Sequence, residues 1–253
     1  MRLRCAVFFL ALAATAQADW TILSSVSEPG RGGVVHRHVV LENGAGRERI
    51  TVNVAIFSTK SCTIRILQNP GGADSLDQVM KREDCLAGVN GGYFDEAFAP
   101  IGLRIANGQM ITPLQRARLT TGVLVASSHG VQIVRFREFS RRPGMTAAIQ
   151  CGPFLVDGNQ PIGGLNDSRL ARRTFAATIT GNRALVGVCS NVSLAGLSKM
   201  LATTSFAEDL RIERALNLDG GSSTGFWFAR QNGSAFSIPE QKPVRDFVGI
   251  VPK

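Results

Sequence analysis

The sequence predicts an α+β fold: a single domain with a mixed or largely antiparallel sheet and one or two flanking helices. Three observations lead there. Short runs rich in β-branched residues recur along the chain, separated by Gly, Asn and Ser turns. Only two segments repeat apolar residues at helical spacing. No internal repeat, low-complexity tract or Pro-rich linker divides the roughly 235 residues that follow the leader, a length that can bury one sizeable core.

Residues 1–18 carry the marks of a cleavable secretory signal peptide. Arg2 and Arg4 precede an apolar run from Ala6 to Ala14, and Ala16-Gln17-Ala18 fits the small-x-small cleavage pattern. The run is too short for a permanent span, which needs ~20 apolar residues. No later stretch is long and apolar enough to act as a transmembrane anchor. The mature domain is expected to cover 19–253 and to work outside the cytoplasm, in the periplasm or the medium of a bacterial cell.

Val34 to Leu41, Ile50 to Phe57 and Cys62 to Leu67 read as three early strands. Ser75 to Cys85 reads as a helix, with Leu76, Val79 and Met80 on one face and Ser75 placed to cap its start. Ile101 to Ile105 and Met110-Ile111 flank Asn107-Gly108, a hairpin signal. Gly122 to Ala126 and Val131 to Phe136 flank a second turn. Ala147 to Val156 reads as one strand that runs into Asp157-Gly158-Asn159. Thr174 to Thr180 and Ala184 to Cys189 pair across Gly181-Asn182. Ser193 opens the clearest helix, with Leu194, Leu197 and Leu201 on one stripe. Ala215 to Leu218 is a short strand, and Gly225 to Ala229 and Val244 to Val251 close the chain.

The formal charge of +9, carried mostly by arginine, favours anionic partners such as phosphate or acidic glycans. A nucleic-acid partner is set aside, because few aromatics lie outside the strands and no recognised binding module is present. Cys62, Cys85, Cys151 and Cys189 remain after the leader, and an even count in an oxidising compartment predicts two disulfides. Three pairings are open; Cys62–Cys85 with Cys151–Cys189 is preferred, since each closes a short loop. His36 and His38 would share a strand face without a third ligand, and read as two surface imidazoles.

Two segments carry the chemistry. One is Asn90-Gly91-Gly92-Tyr93-Phe94-Asp95; the other is Asn217-Leu218-Asp219-Gly220-Gly221-Ser222-Ser223-Thr224. Each follows an apolar strand and pairs glycines with an Asn and an Asp. Such glycines let the backbone approach a ligand, and their N–H groups can bind an anion. Two segments of one architecture point to a shared site. A third segment, Arg169 to Thr174, offers three guanidinium groups that suit phosphate oxygens. Gly221-Ser222-Ser223-Thr224-Gly225 also matches the G-x-S-x-G nucleophile elbow, but all three histidines precede it, where that mechanism needs one later.

The ordered set of Asn90 to Asp95, Pro100 to Leu103, Gly152 to Gly158, Arg173-Thr174, Ser193 to Leu197, Ala215 to Ser223 and Val244 to Val251 resembles the phosphodiester glycosidase family, over roughly residues 85 to 250. The resemblance implies an exported hydrolase that cleaves a sugar-1-phosphodiester between the anomeric carbon and the phosphate oxygen. Asp219, Asp95 and Arg173 become the candidate catalytic residues, two carboxyl groups and a phosphate clamp. Asn90, Gly91, Gly92, Tyr93, Thr174, Asn217, Gly220, Gly221, Ser222 and Ser223 become the candidate substrate-binding set. The sequence assigns no cofactor; a divalent cation, calcium or magnesium, stays open and enters if Asp219 and Asp95 converge. The alternative is an exported protein that binds a glycan or sugar phosphate without turnover.

Overall fold

Turn chemistry sets the strand pairing. The computed structural model describes residues 20–44, 48–205 and 211–253; the expected signal peptide lies outside them. In chain order the elements are β1 (Trp20–Pro29), β2 (Val35–Asn43), β3 (Glu48–Ser58), β4 (Cys62–Gln68), α1 (Leu76–Arg82), β5 (Ala87–Asn90), β6 (Arg104–Ala106), β7 (Gln109–Thr112), β8 (Gly122–Ser127), β9 (Gly130–Arg135) and β10 (Met145–Cys151). They continue as β11 (Phe154–Asp157), β12 (Gln160–Pro161), β13 (Ala171–Ile179), β14 (Arg183–Val192), α2 (Leu194–Thr203), β15 (Ile212–Asn217), β16 (Phe226–Ala229), β17 (Ala235–Ile238) and β18 (Asp246–Pro252). The β6–β7 hairpin turns on Asn107 and Gly108, both at positive φ, as the Asn-Gly signal predicts. Gly181 and Asn182 do the same between β13 and β14. Ser75 and Gln78 close a reciprocal capping box on α1.

Three sheets result, ordered β1-β2-β3-β14-β13-β15-β11-β12, β7-β6-β10-β8-β9 and β17-β16-β5-β18-β4. Every pairing among the described residues is antiparallel. The expected largely antiparallel pairing holds, and α1 and α2 are the two α-helices of the described residues; the correction is one of balance, since three sheets make the fold more sheet-rich than α+β implies. Parallel neighbours need a crossover of a dozen residues or more, and most successive strands here return through tight turns. The expected single strand over 147–156 is two strands in different sheets, β10 and β11. They part at Gly152-Pro153, where proline offers no N–H to a ladder. Strand β1 escaped the sequence reading because it is an edge strand with most side chains in solvent, so it carries little apolar signal.

One apolar cluster lies between the three sheets, built from residues such as Phe57, Val89, Ile149, Leu216 and Val248. A second fills the space between the other face of the eight-stranded sheet and α2, through Leu197 and Leu201. A third packs α1 on the far face of the β4–β18 sheet, through Leu76, Val79 and Met80. Each large apolar side chain buried here contributes about 1.5–3 kcal/mol, so the layers hold the site's backbone supports rigidly.

The layering overturns the expected disulfides. Cys62, Cys85, Cys151 and Cys189 are four free, buried thiols. Cys62 faces the central cluster and Cys85 the α1 cluster, on opposite sides of one sheet. Cys151 and Cys189 are divided in the same way by the eight-stranded sheet. Burial pushes the Cys85 and Cys151 thiols up to about 12 and that of Cys189 higher still. The folded chain 19–253 is expected to resist alkylation and, once denatured without reductant, to take one maleimide label at each of the four. Absence of labels on a mass spectrum would restore the disulfides. His36 departs from expectation too: it is buried, stacked 4.8 Å from Phe236, and shares Asn53 Oδ1 with His38.

Candidate active site

The two glycine segments meet where β5 and β15 end. The Asp219 amide donates to the Gly91 carbonyl (3.1 Å), and Asn90 Nδ2 donates to the Asp219 carbonyl (2.8 Å). Asn90 Oδ1 accepts from Thr174 Oγ1 (2.7 Å) and the Gly225 amide (3.1 Å). Buried Asn90 therefore ties three strands together, with Thr174 and Thr224 joined at 3.3 Å behind it.

Both glycines after Asn90 are demanded by a buried ion pair. Arg104 Nε donates to Asp246 Oδ2 at 2.7 Å, and both side chains are 2% exposed. Asp246 Oδ1 accepts from the Gly92 amide (2.9 Å). A Cβ on Gly91 would lie 1.8 Å from Asp246 Oδ1, and one on Gly92 2.2 Å from Arg104 Nη2. Arg104 also donates to the Tyr93 and Gln150 carbonyls. The ion pair thus fixes the segment that presents Tyr93.

Tyr93 donates to the Gly152 carbonyl (2.6 Å) and accepts from Asn217 Nδ2 (3.0 Å). Burial raises its pKa, so the phenol stays neutral. Asn217 Nδ2 also donates to the Gly152 and Leu218 carbonyls, while its Oδ1 is buried with no partner among the described residues. Orphaned buried oxygens are rare in folded proteins and mark places where a further group can bond.

Asp219 sits at the junction. Its Oδ1 accepts from the Gly220 amide (2.9 Å). Burial raises its pKa and the Asp246 carboxylate adds to that; the Ser223 hydroxyl, Lys242 and the Gly220 amide pull the other way. Ser223 Oγ is buried, favours the ionised carboxylate, and has no hydrogen-bond partner at bonding distance. Gly221 takes φ +64 and its carbonyl accepts from Arg172 Nε (3.2 Å). A Cβ on Gly220 would crowd the Arg172 carbonyl at 2.8 Å. Ser222, half-buried, holds Gln241 through its carbonyl (2.8 Å). Residues Gly221–Ser223 form one 3-10 turn leading into β16, not the helix a nucleophile elbow requires.

Arg173 is buried on the Tyr93 side of the site. Nε and Nη2 donate to the Val192 and Arg169 carbonyls, and Nη1 has no hydrogen-bond partner among the described residues. Asp95 is exposed and makes no hydrogen bond to Asp219 among the described residues; its Oδ1 accepts from the Ala99 amide (2.8 Å). No group of three or more His, Cys, Asp or Glu gathers among the described residues. No described helix is long and apolar enough to cross a membrane. Sequence reasoning missed Arg104, Asp246 and Lys242; the charged Arg104 and Asp246 on otherwise apolar strands were the available signal.

A model of the family described as phosphodiester glycosidase matches residues 83–251. An uncharacterized protein, YigE, of Escherichia coli strain K12 is 28% identical over 145 residues, 52% of this chain and 54% of that protein. The chain thus spans about half the length of this relative. The zebrafish N-acetylglucosamine-1-phosphodiester alpha-N-acetylglucosaminidase catalytic domain, auto-inhibited by its pro-peptide, superposes with a TM-score of 0.67 at 14% identity, covering 91% of this chain and 88% of that one. A hypothetical protein from Synechocystis gives 0.59 at 13% identity, covering 87% and 62%. At such identities these likenesses speak for the fold.

Proposed function

The chain belongs to the phosphodiester glycosidase family, and from that premise we propose that it is an exported hydrolase of sugar-1-phosphodiesters with Asp219 as its catalytic carboxylate. The observation that carries the reading is the setting of Asp219: a carboxyl whose pKa burial raises, held where two glycine turns cross, beside the orphaned Asn217 Oδ1 and Ser223 Oγ. A raised pKa makes a carboxylate a better base near neutrality. In this reading Asp219 takes a proton from water as the water oxygen bonds to the anomeric carbon. The bond from that carbon to the phosphate oxygen breaks, and the phosphate leaves with the electron pair. A phosphate needs less protonation than an alcohol, so one carboxylate serves where two are usual. Arg173 Nη1 and the backbone N–H groups of the turns stabilise the departing charge.

The test is free-sugar release by the purified chain 19–253 from a panel of sugar-1-phosphodiesters and matched simple glycosides. Release from the phosphodiesters alone is expected. Saturable binding without release from any of them would replace hydrolysis with the binding reading.

A further inference from the structure

Gly152 joins the Asp219 site to a second cleft. Its carbonyl accepts from Tyr93 and Asn217. Its α-carbon lies so close to the neighbouring loop that a Cβ would come within 2.3 Å of the Leu119 carbonyl and 2.7 Å of the Thr121 amide. Residues 113–121 therefore border the site on one side. On the other they open into a cleft of about 510 Å³ lined by Arg116, Thr120, Thr121, Arg135, Arg137 and Glu138, among others.

This loop is pinned from within. Gln150 is fully buried; its Oε1 accepts from the Leu103 amide (2.9 Å) and the Gln115 amide (3.0 Å). Its Nε2 donates to the Gln115 carbonyl (2.6 Å), the Thr120 carbonyl (3.2 Å) and Thr120 Oγ1 (3.1 Å). Thr121 accepts from the Phe136 amide through its carbonyl and from the Phe154 amide through Oγ1, each at 2.9 Å. Both ends of the tip are fixed, and Arg116 is held exposed between them.

The charges around the cleft do not cancel. Arg135 and Arg214 share Asp157, and Arg214 also holds Glu138, which makes a neutral quartet. Arg116 and Arg137 are left with no acidic partner among the described residues. Arginine forks without carboxylate partners, on a fixed scaffold, suit the oxygens of a phosphate.

We propose that this cleft is a second anion subsite, taking a further phosphate of an oligomeric sugar-phosphate chain whose glycosyl phosphate lies at Asp219. The proposal rests on the hydrolase reading for its substrate, and it makes that substrate a repeating phosphodiester polymer in place of a single small diester. Arg116 and Arg137 are positioning residues for that chain.

The experiment has a binding arm and a turnover arm. Calorimetric titration of inorganic tripolyphosphate into the chain 19–253 is compared with the Arg116→Ala/Arg137→Ala variant and with Asp219→Asn. The double variant is expected to bind at least tenfold more weakly, and Asp219→Asn to bind within about twofold of the parent chain. Equal affinity of the parent and the double variant, or an adventitious loss shared by Asp219→Asn, overturns the subsite. In the turnover arm, the double variant should lose at least tenfold more kcat/KM, through KM, on a four-repeat sugar phosphodiester than on the monomer. Equal losses on both overturn it. If no diester is cleaved at all, the hydrolase reading fails, and the titration alone decides the subsite.

Discussion

Asp219→Asn is expected to lower the rate of phosphodiester cleavage by about 10²–10⁴-fold, the range for removing one positioned proton-transfer group. It should do so without unfolding the chain, because the amide oxygen can still accept from the Gly220 N–H as Oδ1 does now. The same change should stabilise the fold near neutral pH. Burial raises the Asp219 pKa above its unfolded value, so the folded state favours the protonated carboxyl. The stability that Asp219 lends is therefore full below about pH 3.9, the ordinary aspartate value, and is lost as pH rises through the folded pKa. Thermal melts of parent and variant should diverge across that window, with Asp219→Asn the more stable at pH 7. An inactive variant that is also less stable at pH 7 would assign Asp219 a structural role.

Arg104→Met is the second large effect, and it falls on stability. The substitution leaves the Asp246 carboxylate 2% exposed with no cation beside it. Breaking such a pair from one side costs about 3–5 kcal/mol, a large share of the about 5–15 kcal/mol that holds a domain folded. The damage should centre on the Asn90-Gly91-Gly92-Tyr93 segment, since Arg104 also supports the Tyr93 carbonyl (3.1 Å) and Asp246 the Gly92 amide. Arg104→Met/Asp246→Asn should recover part of the loss: the neutral amide no longer buries a charge, and its oxygen still accepts from Gly92. Chemical denaturation measures both, and a single-variant loss under about 1 kcal/mol would show that the pair is not a mainstay of the site.

Local signals carried far in this sequence. The Asn107-Gly108 and Gly181-Asn182 turns, the Ser75 cap and the Leu197/Leu201 stripe each reported a structure decided within a few residues. The paired glycine segments were legible as backbone that must come close to something, and they meet each other through Asn90, Gly91 and Asp219. What no short window held was the identity of that something. Gly91 and Gly92 are glycines because Arg104 and Asp246 fill the space beside them, and Asp246 lies 154 residues from Gly92. The disulfides failed on the same ground. Cysteine spacing measures loop length, while the sheets decide which face each thiol occupies. The Asn-Gly-Gly context of Asp95 signals a ligand turn, and its carboxylate also closes a turn of its own on the Ala99 amide.

The most direct test of hydrolysis at the sugar carbon is to run the cleavage of a sugar-1-phosphodiester in ¹⁸O-labelled water and weigh the products. Attack at the anomeric carbon places the heavy oxygen in the released sugar and none in the phosphate monoester, which is the result expected here. Heavy oxygen in the phosphate would mean attack at phosphorus, and would contradict a glycosidase built around Asp219.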